Sequence, residues 1–100
     1  MANQTAVRFG YPATLVREYG HWLVLLREPQ PTLGSLILCA KSEATEFSAL
    51  TREAHVEMGT VVGAIEQALK SAFAYDKIKY LMLMMVDPNV HFHVIPRYAE

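Results

Sequence analysis

The chain has 100 residues, of which 52% are hydrophobic, and its nine basic and ten acidic side chains leave a net charge of −1. A chain of this length forms one compact domain with a modest core, burying only about 60–65% of its unfolded surface. The balanced charge, with no run of like sign longer than two, excludes a nucleic-acid-binding stripe and a polybasic membrane anchor. Met1 to Gly10 lacks the apolar core of a secretory signal, and no apolar stretch reaches the ~18 residues that a membrane span needs. A soluble, cytoplasmic protein is expected, which suits the single cysteine, Cys39, read as a buried structural thiol inside Leu36-Ile37-Leu38-Cys39-Ala40.

Residues 1–10 read as a polar, flexible lead, broken off by Gly10-Tyr11-Pro12. Thr14 to Tyr19 alternates loosely, as an edge strand does, and Gly20 ends it. His21 to Arg27 is a stronger strand, stopped by Glu28-Pro29-Gln30-Pro31, and Leu33 to Lys41 reads as its antiparallel partner across a connection of five or six residues. Ser42 is a candidate N-cap for a helical start over Ser42 to Glu46, and Thr51 for the long helix. From Thr51 to Phe73, Val56, Val61, Ile65, Leu69 and Phe73 recur three to five residues apart, the spacing of a half-buried helix. Tyr80 to Val86 is apolar at every position and bounded by turn signals. A strand covered on both faces is the preferred reading, with Met82, Met84 and Met85 as core or dimer filler, and a helix is the alternative. The order β-β-β-α-β-β predicts an α+β domain over residues 1–100, an antiparallel sheet of about five strands with one long helix.

The last strand carries the chemistry. In Asn89-Val90-His91-Phe92-His93-Val94-Ile95-Pro96-Arg97, alternation puts Asn89, His91 and His93 on one face and Val90, Phe92 and Val94 on the other. Three polar residues in a row on an apolar strand are costly to bury unless paired, hydrated or used. A neutral imidazole attacks phosphorus at pH 7 when its second nitrogen is held by an acceptor. His-x-His also suits a metal, but a zinc site needs three or four ligands, so His21 or Cys39 would have to complete it.

This segment resembles the histidine-triad (HIT) family motif, His-φ-His-φ-His-φ-φ with φ apolar, often continuing Pro-Arg as Pro96-Arg97 does. Leu33 to Leu38 with Lys41 is similar to the family's Gly-His-Leu-Val-Ile-Pro-Lys strand, and Tyr80 to Tyr98 resembles bacterial members of the diadenosine polyphosphate hydrolase-like group, with Met-rich strands before the motif. The resemblance implies a HIT-like α+β fold, a homodimer, and hydrolysis or transfer at the α-phosphate of nucleotide conjugates. It makes His91 the nucleophile, held by the carbonyl of Asn89, and His93 the phosphate binder and proton carrier. It implies a nucleotide-type small molecule as partner and no resident cofactor or metal, with Mg²⁺ arriving only on polyphosphate substrates.

Several positions depart from the family. Asn89 stands where the first histidine would be, and Arg27 aligns where an acidic residue often holds ribose hydroxyls, although an arginine has donors only. Lys79 falls where many members carry a substrate-contacting asparagine, so Lys79 and Arg97 are candidates for phosphate binding and Trp22 for lining a base pocket. Loss of the triad's first histidine and of the ribose acid motivates an alternative, a degenerate domain that binds a nucleotide or a protein without turnover.

Overall fold

The computed structural model describes residues 2–99 and contains one five-stranded antiparallel sheet in the order β1-β2-β3-β5-β4. The strands are β1 Leu15–Glu18, β2 Trp22–Leu26, β3 Leu36–Ala40, β4 Lys77–Leu81 and β5 His91–Arg97. A short helix α1, Gln4–Arg8, precedes them, and the long helix α2, Arg52–Phe73, links β3 to β4. The expected α+β architecture is therefore the observed one.

β2 and β3 are apolar along their whole length because both of their faces are covered. Trp22, Val24, Leu36 and Leu38, with Phe92 and Val94 of β5, pack against Val61, Ile65 and Leu69 of α2. Leu23, Leu25, Ile37 and Cys39 face the other way and are covered by Ala6 of α1, with Phe9, Tyr11 and Leu15 at the margin. The polar lead is thus no loose segment. Asn3 caps α1, its Oδ1 accepting from the Ala6 N–H at 2.9 Å, while its Nδ2 donates to the carbonyls of Ala40 (2.7 Å) and Ser42 (2.8 Å). These bonds pin the helix to the end of β3. Gly10 then turns the chain with φ 94°, where a Cβ would meet Thr14 Cγ2 at 2.7 Å.

Three boundaries differ from those the sequence suggests. Residues 42–46 form no helix; Ser42 Oγ accepts from the Ala44 N–H at 3.0 Å in a local turn, and α2 begins after Thr51, whose hydroxyl accepts from the Ala54 N–H at 3.1 Å. The β2–β3 connection runs over residues 27–35, longer than expected, because Gln30 organises it: Oε1 accepts from the N–H of Gly34 and of Ser35, and Nε2 donates to the carbonyls of Arg27 and Ser35. The fourth strand is Lys77–Leu81 rather than Tyr80 to Val86. It is an edge strand, so Lys-Ile-Lys-Tyr-Leu alternates outward with inward, Ile78 and Tyr80 packing beside the core. The apolar run that follows leaves the sheet: Met84 has φ 55°, and Met85 is 85% exposed.

Candidate functional site

β5 lies between β3 and β4, and pairing fixes which side chains share its histidine face. His91 opposes Cys39, and His93 opposes Ile37 on one side and Leu81 on the other. The two imidazoles come together with ring centroids 5.2 Å apart. His91 Nδ1 lies 2.8 Å from the backbone oxygen of Asn89. A carbonyl only accepts, so Nδ1 carries the proton and Nε2 keeps its lone pair free. His91 is 2% exposed and His93 is half-buried.

The Asn89 side chain does a different job. Its Oδ1 accepts from the backbone N–H (3.2 Å) and hydroxyl (3.1 Å) of Thr5, and its Nδ2 donates to the Glu43 carbonyl at 2.9 Å. Its own N–H donates to Thr5 Oγ1 at 2.9 Å. The carboxamide therefore fastens α1 over the end of β5, while the carbonyl of the same residue orients the imidazole.

That fastening brings Phe9 onto the histidines, its ring centroid 5.6 Å from that of His91 and 5.8 Å from that of His93. Arg27, just past the end of β2, holds its guanidinium carbon 5.8 Å from the Phe9 centroid. Asp87 sits just before the strand, 3.0 Å from Arg8 Nε in a charge contact that leaves its Oδ1 without a properly aligned hydrogen bond. Burial lowers the pKa of His93 below its ordinary 6.5, the neighbouring His91 and Arg27 lower it further, and Asp87 opposes them in part. His93 is accordingly a neutral imidazole at pH 7. Cys39, behind the same face, has its thiol pushed up to about 12 by burial and is inert as a thiolate source.

The other sequence candidates are not gathered here. Trp22 lies fully buried on the α2 side of the sheet, with Nε1 donating to the Ala54 carbonyl at 2.8 Å, so it is core and faces away from the histidines. Lys79 and Arg97 share the histidine face, but both are exposed and stand farther along the strands, beside Ile95 and Lys77 respectively. Among the described residues, no group of three or more His, Cys, Asp or Glu side chains is arranged to hold a metal ion. Sequence reasoning missed Phe9, Thr5 and Asp87. A signal for the first two was present, since Asn3 is a residue type that caps helices and Gly10 one that follows them, the two bracketing the short helix that forms there.

The family model described as HIT domain matches residues 10–100. Among solved structures, the HIT family protein of Bacillus anthracis shares 29% identity with a TM-score of 0.77, over 87% of this chain and 65% of that one. A member of the HIT family from Bacillus subtilis gives a TM-score of 0.80 at 24% identity, over 96% of this chain and 72% of that one. The NitFhit protein of C. elegans gives 0.78 at 18%, over 86% of this chain and 22% of that one. The last two likenesses are of fold alone. This chain spans just under two thirds of the length of the Bacillus anthracis protein. No curated protein matches it.

Proposed function

The chain belongs to the HIT domain family, and from that premise we propose that it hydrolyses or transfers the nucleotidyl group of a phosphoester or phosphoramidate, with His91 as nucleophile. The observation that carries this reading is the 2.8 Å contact between His91 Nδ1 and the Asn89 carbonyl, which leaves Nε2 as the nitrogen with a free lone pair. In the first step Nε2 forms a bond to phosphorus and the bond to the leaving group breaks. His93, neutral in the free site, takes up a proton as the anionic substrate binds, gives it to the leaving group, and takes one back from the water of the second step. Water then attacks the nucleotidyl-histidine, releasing the nucleotide and restoring the imidazole. Asn89 serves as a positioning residue through its backbone oxygen, so a two-histidine version of the motif retains the contact that the nucleophile needs.

Within the family we place the protein with the bacterial diadenosine polyphosphate hydrolase-like group. The reaction is assigned no resident metal, and Mg²⁺ would enter only with a polyphosphate substrate. Lys79 and Arg97 would add long-range positive potential along the histidine face without touching the scissile group. No helix among the described residues is long and apolar enough to cross a membrane, and a free buried thiol at Cys39 suits a cytoplasmic setting.

A second reading, binding without turnover, is favoured by one observation: His91 is only 2% exposed, so in-line approach to it requires a neighbour such as Phe9 to move aside. Mass spectrometry decides between them. The protein is mixed briefly with an adenosine phosphoramidate or a dinucleoside polyphosphate and quenched, alongside His91→Ala. A nucleotidyl adduct on His91, absent from the variant, is the expected result. Neither adduct nor product from either substrate would leave the binding domain as the better account.

A further inference from the structure

Arg27 is the cation of the site that the reaction above does not use. It lies two residues beyond Leu25, which shares a cross-strand row with Ile37 and His93, so β-alternation puts it on the histidine face. Its N–H pairs with the Ser35 carbonyl, which keeps that part of the chain in the sheet's plane. β2 is separated from β5 by β3, so the backbone of Arg27 stands two strand spacings, roughly 10 Å, from the strand that bears the histidines. The guanidinium carbon lies 5.8 Å from the centroid of the Phe9 ring, which itself packs against both imidazoles.

Its charge is uncommitted. Nη1 donates to the Glu28 carbonyl at 2.8 Å, one of the five donors a guanidinium carries. Neither of the two ion pairs found among the described residues, Arg8 with Asp87 and Lys41 with Glu18, includes it. A half-buried arginine whose field reaches His93, with no carboxylate in ion-pair contact among the described residues, makes this end of the site a place for an anion. Its planar fork matches the paired oxygens of a phosphate and cannot accept from a hydroxyl.

We propose that the substrate carries a second phosphoryl group on its sugar, held by Arg27 while the first lies at His91 and His93. This rests on the nucleotidyl reading of the site and narrows it to conjugates of a nucleoside bisphosphate. The separation argues for the sugar as the bearer. Neighbouring phosphates in a chain share one bridging oxygen and would crowd together at the imidazoles, whereas phosphates on two carbons of a sugar are held apart. A plain ribose would meet at Arg27 a cation that it only poorly solvates.

Calorimetric titration of the full chain with adenosine 5′-monophosphate, adenosine 5′-diphosphate and adenosine 3′,5′-bisphosphate tests this. The bisphosphate should bind about tenfold more tightly than either of the others, the gain of one charge-assisted pair. Arg27→Gln should bring that ratio close to one, and Arg27→Lys should keep part of it, with melting curves confirming that both variants fold. Equal affinity for all three ligands would overturn the proposal and leave the nucleotidyl reading standing. The diphosphate matching the bisphosphate would overturn it too, by putting the second phosphate on the chain. No binding of any of the three would remove both. Conversely, an Arg27-dependent preference for the bisphosphate with no adduct on His91 would support the subsite and dispose of turnover.

Discussion

At the scale of single residues, Asn89 divides its labour between backbone and side chain, and the two parts can be separated by experiment. Asn89→Ala keeps the carbonyl that orients His91 but strips the partners of Thr5 and of the Glu43 carbonyl, all of them in or beside the buried seam between α1 and β5. Leaving buried polar groups unpaired costs about 1–3 kcal/mol each where no water replaces the partner. Urea unfolding should therefore show a loss of about 2–3 kcal/mol for the variant, with the His91 nucleophile still competent in protein that remains folded. Stability unchanged within 0.5 kcal/mol, about the scatter of surface substitutions, would refute the assignment of the seam. His93 supplies the pH dependence. Its folded pKa is depressed by burial and by His91 and Arg27, so the unfolded chain takes up its proton first as pH falls. The sign follows: stability is intact above about 6.5, the unfolded value, and is lost as pH drops from there through the lower folded pKa. Melting temperature measured from pH 7.5 to 5 should fall below 6.5, and His93→Gln should flatten that limb.

At the scale of elements, α2 shows what the sequence made legible. Its apolar spacing and its Thr51 cap announced the helix, and β2, β3 and β5 were readable because apolar runs bounded by turns have few other uses. β4 was misplaced for a physical reason. An edge strand needs only one buried face, so Lys77-Ile78-Lys79-Tyr80 alternates weakly, whereas the more conspicuous apolar run Leu81 to Val86 lies mostly in a surface loop. The histidine pair and its carbonyl contact were legible from alternation and family resemblance. Alignment with the family put Arg27 at the ribose position, but Phe9 was not placed at the site, because only tertiary packing carries the end of α1 to the same spot. The C-terminus of α2 offers a test of local conformation. Ala74 closes the helix with φ 51°, its N–H donating to the Lys70 carbonyl at 2.9 Å, in a region that glycine enters without a Cβ penalty. Ala74→Gly should raise stability by about 0.5–1 kcal/mol in denaturant unfolding, and a loss would mean that some other contact holds this cap.

At the scale of the whole molecule, the sheet ends in two unlike edges. β1 is short, bulged between Leu15 and Arg17, and carries the exposed charged pair Arg17 and Glu18 beside an exposed Val16; shortness, bulge and charge are devices by which edges avoid pairing. β4 is regular in its pairing with β5, and it runs directly into a segment in which Leu81, Leu83, Met85 and Val86 are all exposed. Apolar side chains concentrated beside an open edge are a surface that a second copy would cover, and we propose that a homodimer forms at this edge rather than at β1. A stable interface needs about 800 Å² from each partner, more than the loop alone offers, so such a dimer would also use β4 and the neighbouring face of α2. Leu83→Lys with Met85→Lys places two like charges in the loop without touching the core. Sedimentation velocity at micromolar concentration should show a dimer for the parent chain and a monomer for the double variant. The isolated fold should lose little, since both side chains are already in water and exposed substitutions shift stability by about 0.5 kcal/mol or less. A parent chain that sediments as a monomer would remove the dimer. A double variant that stays dimeric would move the interface away from β4 and its loop.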